Sequence, residues 1–492
     1  ASEKQVTRNA LGRGRPRDRC PWPDTVAVTY LGLIADPGAA AAAETAPVPA
    51  PGLLEPVYTR PSMKIGLVSF EYPPFHGGGI GTYAGIMSRW LARCGHQVHV
   101  VGNGWDGAFE GVDPANEGID GLHVHRIKAL DRDYRPLPPH DRPGDPSGEV
   151  ARRWDRSLYW STLVADRLAE IHAEHTLDVV EFPECFAEGA VTLRRRAAGL
   201  GFDDLAVTLH LHTPIRAHTQ LNLARTWEGW YRRRVALEEL GIRLADRLCS
   251  PSRSLAAIVA RRLGFDAEER CDVIPYAMDF GDVDDAIQPK DGPPTLLFVG
   301  RVEPRKGVRD LVDAAVRVLP DHPDLTVRFL GRDCDAGEVP GSMVEWLRRR
   351  TPEVLRPRFV FEGLRPWEEV LRRYRSATAC VFAAPWDNYP FTCMEAMAAG
   401  ACVVVSDQGG MAELVQHEVS GLVFPAGRVD ALADAIRKVL DSPGEAASWR
   451  EAAALRVRAV CDPQTVVERR IEHYGRTIEH HRSLETIAEA VS

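Results

Sequence analysis

The chain has no run of apolar residues near the roughly 20 that a membrane-spanning helix needs, so no part of it reads as a transmembrane segment. It also lacks paired cysteines. Its ten cysteines are scattered singly, with no CxxC pair and no Cys/His cluster at zinc-ligand spacing. Several, such as Cys380 and Cys402, sit in apolar runs where a thiol acts as a small hydrophobe. No metal site is expected on this count, and a reducing, cytoplasmic setting fits best. Excess positive charge is missing as well: 60 Lys and Arg stand against 69 Asp and Glu, a formal net charge of −9. That balance argues against the sequence-independent phosphate grip of a nucleic-acid binder. It leaves room for a small local basic pocket.

What is present is the composition of a globular protein. The 492 residues are 45% hydrophobic and 26% charged, enough for two domains or more with ordinary cores. Residues 1–62 differ from the rest: 13–19 is basic and broken by Pro and Gly, and 38–52 is an Ala/Pro tract without apolar periodicity. Such composition buries too little surface to offset its ordering entropy. Residues 26–35 form a short apolar stretch behind basic ones, faintly like a signal peptide, but no cleavage pattern follows. The expectation is a disordered extension, or a start assigned too far upstream with Met63 as the initiator.

From Met63 strands and helices alternate. The pattern predicts a strand at 64–70, a helix at 81–94, a strand at 97–102 and buried strands at 178–182 and 205–211. Residues 279–294, rich in Asp, Pro and Gly, read as a linker. The pattern restarts with strands at 295–299, 325–330, 359–361, 379–383 and 401–406, separated by helices such as 308–318 and 368–376. The fold class is therefore α/β, with two doubly wound, Rossmann-like domains at 63–282 and 283–460 facing a central cleft at their strand carboxyl ends. The tail 461–492 carries a last helix, about 463–481, able to cross back over the first domain.

Four segments carry chemistry. His76-Gly77-Gly78-Gly79-Ile80-Gly81 joins the first strand to the first helix, where glycine lets backbone approach a ligand and helix amides favour an anion. The same glycines also suit a plain tight turn. A dinucleotide site fits poorly, since six residues intervene after the strand and no acidic residue ends the second strand. His210 and His212 stand on one face at the end of a buried strand, which places His212 at the cleft rim. Arg301 and Lys306 follow the first strand of the second sheet within Gly300–Gly307 and supply bidentate and point charge for a diphosphate. Asp387 and Glu395 stand eight apart around Asn388, Tyr389, Pro390, Phe391 and Thr392, a loop whose amides and following helix can receive phosphate oxygens.

In this order the segments resemble family 4 of the retaining GT-B glycosyltransferases, the glycosyl transferases group 1. The likeness spans most of 63–460 and includes Leu211-His212-Thr213-Pro214, Ser250-Pro251-Ser252, Ile274-Pro275-Tyr276-Ala277-Met278-Asp279 and Glu395-Ala-Met-Ala-Ala-Gly400. Asp387 stands where the family pattern has Glu, and Ala277 where it has Gly. The resemblance implies a metal-independent transfer from a nucleotide-diphosphate sugar, with no cofactor. It implies that Arg301 and Lys306 stabilise the leaving diphosphate and that Glu395 binds the ribose. Asp387 and the backbone of the loop Asn388, Tyr389, Pro390, Phe391 and Thr392 would hold the donor sugar, with His212 against its anomeric carbon. Gly78 and Gly79 would meet the diphosphate or the acceptor. Retention without a protein nucleophile implies same-face attack.

The alternatives are a non-catalytic scaffold that binds a sugar nucleotide, and an epimerase or hydrolase on the same fold. The acceptor stays open among a glycan, a lipid-linked glycan and a small molecule. Trp227, Trp230 and Tyr231 among the arginines of 225–234 suggest either peripheral contact with the inner face of a membrane or an amphipathic core helix running to Leu244. The insertion 106–150, rich in Asp, Pro and Gly, names no substrate.

Overall fold

The computed structural model describes residues 61–74, 78–104, 118–127, 156–222, 229–281, 292–336 and 339–491. The N-terminal extension, His76 and Gly77, most of the 106–150 insertion, Trp227 and most of the linker lie outside the described residues.

Short apolar runs make the strands of two parallel sheets. In the first, β1 (Lys64–Ser69), β2 (Gln97–Asn103), β3 (Leu122–Ile127), β4 (Val179–Pro183), β5 (Ala206–His210), β6 (Arg247–Ser250) and β7 (Cys271–Val273) lie in the order β3-β2-β1-β4-β5-β6-β7. Every neighbouring pair is parallel, with Leu67 opposite Val100 on one side and Glu181 on the other. Helices cover both faces of such a sheet, so its central strands read as unbroken apolar runs. β3 is a departure from the expected bare insertion: Leu122 and Val124 alternate with His123 and His125 in a six-residue edge strand, too short and polar to stand out.

The second sheet holds β8 (Thr295–Val299), β9 (Thr326–Leu330), β12 (Phe359–Gly363), β13 (Ala379–Phe382), β14 (Val403–Ser406) and β15 (Leu422–Phe424), ordered β12-β9-β8-β13-β14-β15. A separate hairpin, β10 (Asp335–Ala336) with β11 (Val339–Ser342), stands beside it. Val403, Val404 and Val405 are all fully buried. The helix Val308–Val318 buries Val308, Leu311, Val312, Ala315 and Val318, the three- and four-residue spacing of an apolar stripe.

Strand order reverses between β1 and β4 in one sheet and between β8 and β13 in the other. Loops leaving the carboxyl ends on either side of such a reversal diverge and open a crevice for ligand. The candidate segments Gly300–Gly307 and Asp387–Glu395 leave β8 and β13, and Gly78-Gly79 and the β4–β5 ends occupy the matching crevice of the first sheet.

The final helix, Pro463–Val491, follows the second sheet yet packs on β5 and on the helix Gly79–Arg93. Arg470, fully buried, lies 3.2 Å from Glu181 of β4, whose carboxylate also accepts from Tyr474 (2.9 Å) and Tyr83 (2.6 Å). Burial pushes Glu181 up, but Arg470, His210 and Tyr83 together outweigh it and hold the carboxyl well below its ordinary range. His473 reaches Thr208 at 2.7 Å from the same helix face.

Candidate active site

The loop after β8 ends in a 3-10 turn, Pro304–Lys306, closed by Gly307 at φ +69°. A Cβ on Gly307 would lie 1.8 Å from the Ala383 carbonyl, so only glycine lets this turn pack against the end of β13. That contact delivers Lys306 to the loop leaving β13. Its Nζ lies 2.5 Å from Asp387 Oδ2.

Asp387 is 6% exposed. Burial pushes its carboxyl up, but Lys306 and then Arg305 prevail and hold it below the ordinary range. Its other oxygen accepts from the Asn388 amide at 3.1 Å and lies 3.6 Å from Arg305. Whereas the sequence pattern suggests a carboxylate turned to sugar hydroxyls, the Asp387 carboxylate is engaged by two cations. Arg305 itself is buried, with Nη2 2.7 Å and Nε 3.0 Å from Glu303 Oε1. Arg301 stays 48% exposed, 3.4 Å from the same carboxylate. The segment thus divides its cations: Arg305 is enclosed among anions, while Arg301 stays about half exposed to solvent.

Glu395 lies in the short helix Phe391–Ala398, half-buried. The Tyr374 hydroxyl donates to its Oε2 at 2.9 Å, and burial pushes its carboxyl up to about 7. Pro390 precedes the helix and offers no side-chain cap, so the amides of Phe391 and Thr392 begin a helix end suited to an anion. The Tyr389 side chain packs in the core, the residue 4% exposed.

His212 comes from the other sheet, two residues beyond His210 at the end of β5. Its amide donates to Glu184 Oε2 (2.6 Å) and its carbonyl accepts from Asn388 Nδ2 (2.5 Å). Its ring stacks on Tyr276, with Nδ1 2.7 Å from the phenol, and Tyr276 stacks in turn on Phe391 at 5.1 Å. Burial, then His210, hold His212 well below its ordinary pKa, so the ring is neutral. Among the described residues, its Nε2 is buried without a hydrogen-bond partner. His210 lies deeper, fully buried, 3.6 Å from Glu181. Gly79 opens its helix against the same loop, where a Cβ would meet the Phe391 ring at 3.3 Å. Gly78 is the residue before that helix and is exposed.

Two family descriptions divide this chain between them. "Glycosyl transferase 4-like domain" matches residues 78–277 and "Glycosyl transferases group 1" matches 281–456. The chain belongs to the group 1 glycosyltransferases. The glycogen synthase of Mycobacterium tuberculosis is 30% identical over 426 residues, 82% of this chain and 92% of that protein. Sucrose-phosphate synthase from Thermosynechococcus elongatus superposes with a TM-score of 0.62 at 19% identity, covering 84% of this chain and 98% of that one. The catalytic domain of starch synthase IV from Arabidopsis thaliana gives 0.60 at 15%, covering 85% and 100%. The two sheets and their cleft are the GT-B fold.

As a nucleotide-sugar-using glycosyltransferase, the chain holds several groups at its cleft that motif spacing passed over. Arg305 sits between the two cations singled out, and nothing in the spacing says which of three the fold encloses. Glu184, Glu188 and Glu238 accept backbone N–H groups of the loops after β5 and β1: Glu184 from His212, Glu238 from Ile215 and Glu188 from Phe70. Burial pushes Glu184 and Glu188 up to about 8. The Gly409-Gly410 pair backs the loop Asp387–Glu395, with the Gly410 amide 3.0 Å from the Asp387 carbonyl. Among the described residues no helix is long and apolar enough to cross a membrane. In the basic aromatic segment, the helix Gly229–Leu244 buries Tyr231 and leaves Trp230 40% exposed.

Proposed function

We propose that this glycosyltransferase moves a sugar, with retention and without a metal, from a nucleotide-diphosphate donor to an acceptor hydroxyl in the cleft between its sheets. The observation that carries the reading is the convergence of Lys306, Asp387 and His212, from three strand ends and both sheets, on one loop. Arg301 and Lys306 take the charge that grows on the departing diphosphate, helped by the amides of Phe391 and Thr392. Glu395, once ionised, accepts the ribose hydroxyls. Asp387 holds Lys306 in place and meets the donor sugar with the loop amides, while His212 borders the anomeric carbon.

In the step itself, the bond from C1 to the phosphate oxygen breaks and its electron pair goes to the diphosphate. The acceptor oxygen bonds to C1 on the same face, and its proton passes to the departing phosphate oxygen. Holding donor and acceptor in one cleft supplies the remainder of the rate.

Release of nucleoside diphosphate from UDP-, GDP- and ADP-sugars tests the reading. α-Glucans are the first acceptors to try, because the 30% identical relative is named a glycogen synthase. Activity dependent on both donor and acceptor is expected, with Lys306→Ala lowering kcat/KM by about 10²–10³. Unchanged turnover in Lys306→Ala would overturn the site. Donor consumed at the same rate without any acceptor would indicate a hydrolase, and binding without turnover a scaffold.

A further inference from the structure

One side chain on the donor loop is committed entirely to the opposite sheet. Asn388 is 3% exposed, and its carboxamide has two partners, both in the first-sheet half. Oδ1 accepts from Ser252 Oγ at 2.7 Å, and Nδ2 donates to the His212 carbonyl at 2.5 Å. The orientation is fixed by chemistry, since a carbonyl only accepts. Ser252 is no freer. It caps the helix Arg253–Leu263 by accepting from the Leu255 amide at 3.2 Å, which leaves its one proton for Asn388.

Three further bonds cross the same seam. Trp386 Nε1 donates to Ser254 Oγ at 3.2 Å, and the Glu413 carboxylate accepts from the amides of Arg253 (3.0 Å) and Ser254 (2.9 Å). Behind the loop, a Cβ on Gly410 would lie 1.7 Å from the Asn388 carbonyl, so the backbone there has no slack. A donor and an acceptor on one short planar side chain are needed at 388; Ala provides neither, and Asp loses the donor and sets a carboxylate against the His212 carbonyl.

We infer that Asn388 is a positioning residue whose side chain ties the donor loop to the first sheet, fixing His212 and the spacing of the two halves without touching the donor. Its kinetic consequence rests on the proposed function; the tie itself does not. The donor loop and the first sheet are then joined by this carboxamide, with the Trp386 and Glu413 bonds beside it. Loss of the tie slows the chemical step, while the nucleotide keeps its own ligands on the second sheet.

The test uses the full chain and the variants Asn388→Ala, Asn388→Asp, Ser252→Ala and Ser252→Thr. Steady-state transfer is measured with whichever sugar nucleotide is turned over, and UDP, GDP and ADP are titrated as probes. Asn388→Ala and Asn388→Asp are expected to lower kcat about tenfold or more, while affinity for the nucleoside diphosphate shifts less than about threefold. Ser252→Ala lowers kcat similarly and adds little in combination with Asn388→Ala, whereas Ser252→Thr, which keeps the hydroxyl, restores near-normal turnover. Hydrogen exchange without ligand reads the tie independently of activity. Amides of 253–256, 387–389 and 391–392 exchange faster in Asn388→Ala, and those of 403–405 do not.

Unchanged kcat, a loss confined to donor affinity, or unaltered exchange at 253–256 would each overturn the inference. If the wild-type chain turned over no sugar nucleotide, the functional reading would fail and exchange alone would decide the tie. If Asn388→Ala did not fold, the two Ser252 variants would test the same bond from the other side of the seam.

Discussion

Arg301 and Arg305 stand four residues apart on one turn, and replacing each with Met should produce opposite phenotypes. Arg305 is 5% exposed and bonds Glu303 at 2.7 Å, with Asp387 3.6 Å away. Without it, Glu303 remains buried with only the 3.4 Å contact to Arg301 for charge and a 3.4 Å hydrogen bond from Asn222 Nδ2. Breaking a buried pair by removing one partner costs about 3–5 kcal/mol. At about 2–4 °C per kcal/mol for a domain of this size, that is a fall in Tm of roughly 6–20 °C. Arg301 is 48% exposed, and Glu303 keeps Arg305 when it is lost. An exposed pair is worth about 0–1 kcal/mol, so the melt should move by no more than about 4 °C.

Activity should divide the other way. If Arg301 carries charge to the leaving diphosphate, Arg301→Met lowers kcat/KM by about 10²–10³. The assay is differential scanning fluorimetry together with nucleoside diphosphate release, at one pH and ionic strength. A fully active Arg301→Met, or an Arg305→Met that melts with the wild type, would refute the division of labour between the two guanidinium groups.

Two further outcomes follow from buried carboxyls. Burial pushes Glu395 up to about 7, so if the ionised form binds the ribose, donor KM falls as pH rises through about 7, and at about pH 6 it is about tenfold higher than in the alkaline limit. Glu395→Gln flattens that profile, and a pH-independent wild-type KM would exclude the assignment. Arg470→Met strands Glu181, a pair 0% and 2% exposed, and should cost about 3–5 kcal/mol in urea unfolding. Adding Glu181→Gln should recover part of the loss; a single variant as stable as wild type would show the pair to be idle.

The parts of the fold legible in sequence were those where burial on both faces leaves continuous apolar runs. β13 and β14 read plainly for that reason, as did the helix Val308–Val318 with its apolar stripe. β6 and β7, four and three residues long, carry too few apolar positions for a periodic signal, and β3 alternates histidine with aliphatic residues inside a polar insertion. The helix Gly79–Arg93 begins two residues earlier than expected because glycine reads as loop, although here it lets the helix start approach Phe391. At the site, residue types and order singled out segments that the structure brings together. Pairing did not show: no local pattern says that Lys306 meets Asp387, that Arg305 is enclosed, or that Asn388 reaches across to Ser252. Those contacts join positions 81 and 136 residues apart, and sequence spacing carries no information on them.

The return of the helix Pro463–Val491 to the first sheet has a consequence for how the protein is made. Glu181 is synthesised 289 residues ahead of the Arg470 that neutralises it. At a translation rate of about 5–20 residues per second, the carboxylate waits roughly 15–60 s for its partner. During that interval the second sheet can assemble with its own strands, while the first has a polar gap in its interior. The half that emerges first from the ribosome is therefore the half that finishes last, and a nascent chain stalled before Arg470 exposes that gap to chaperones.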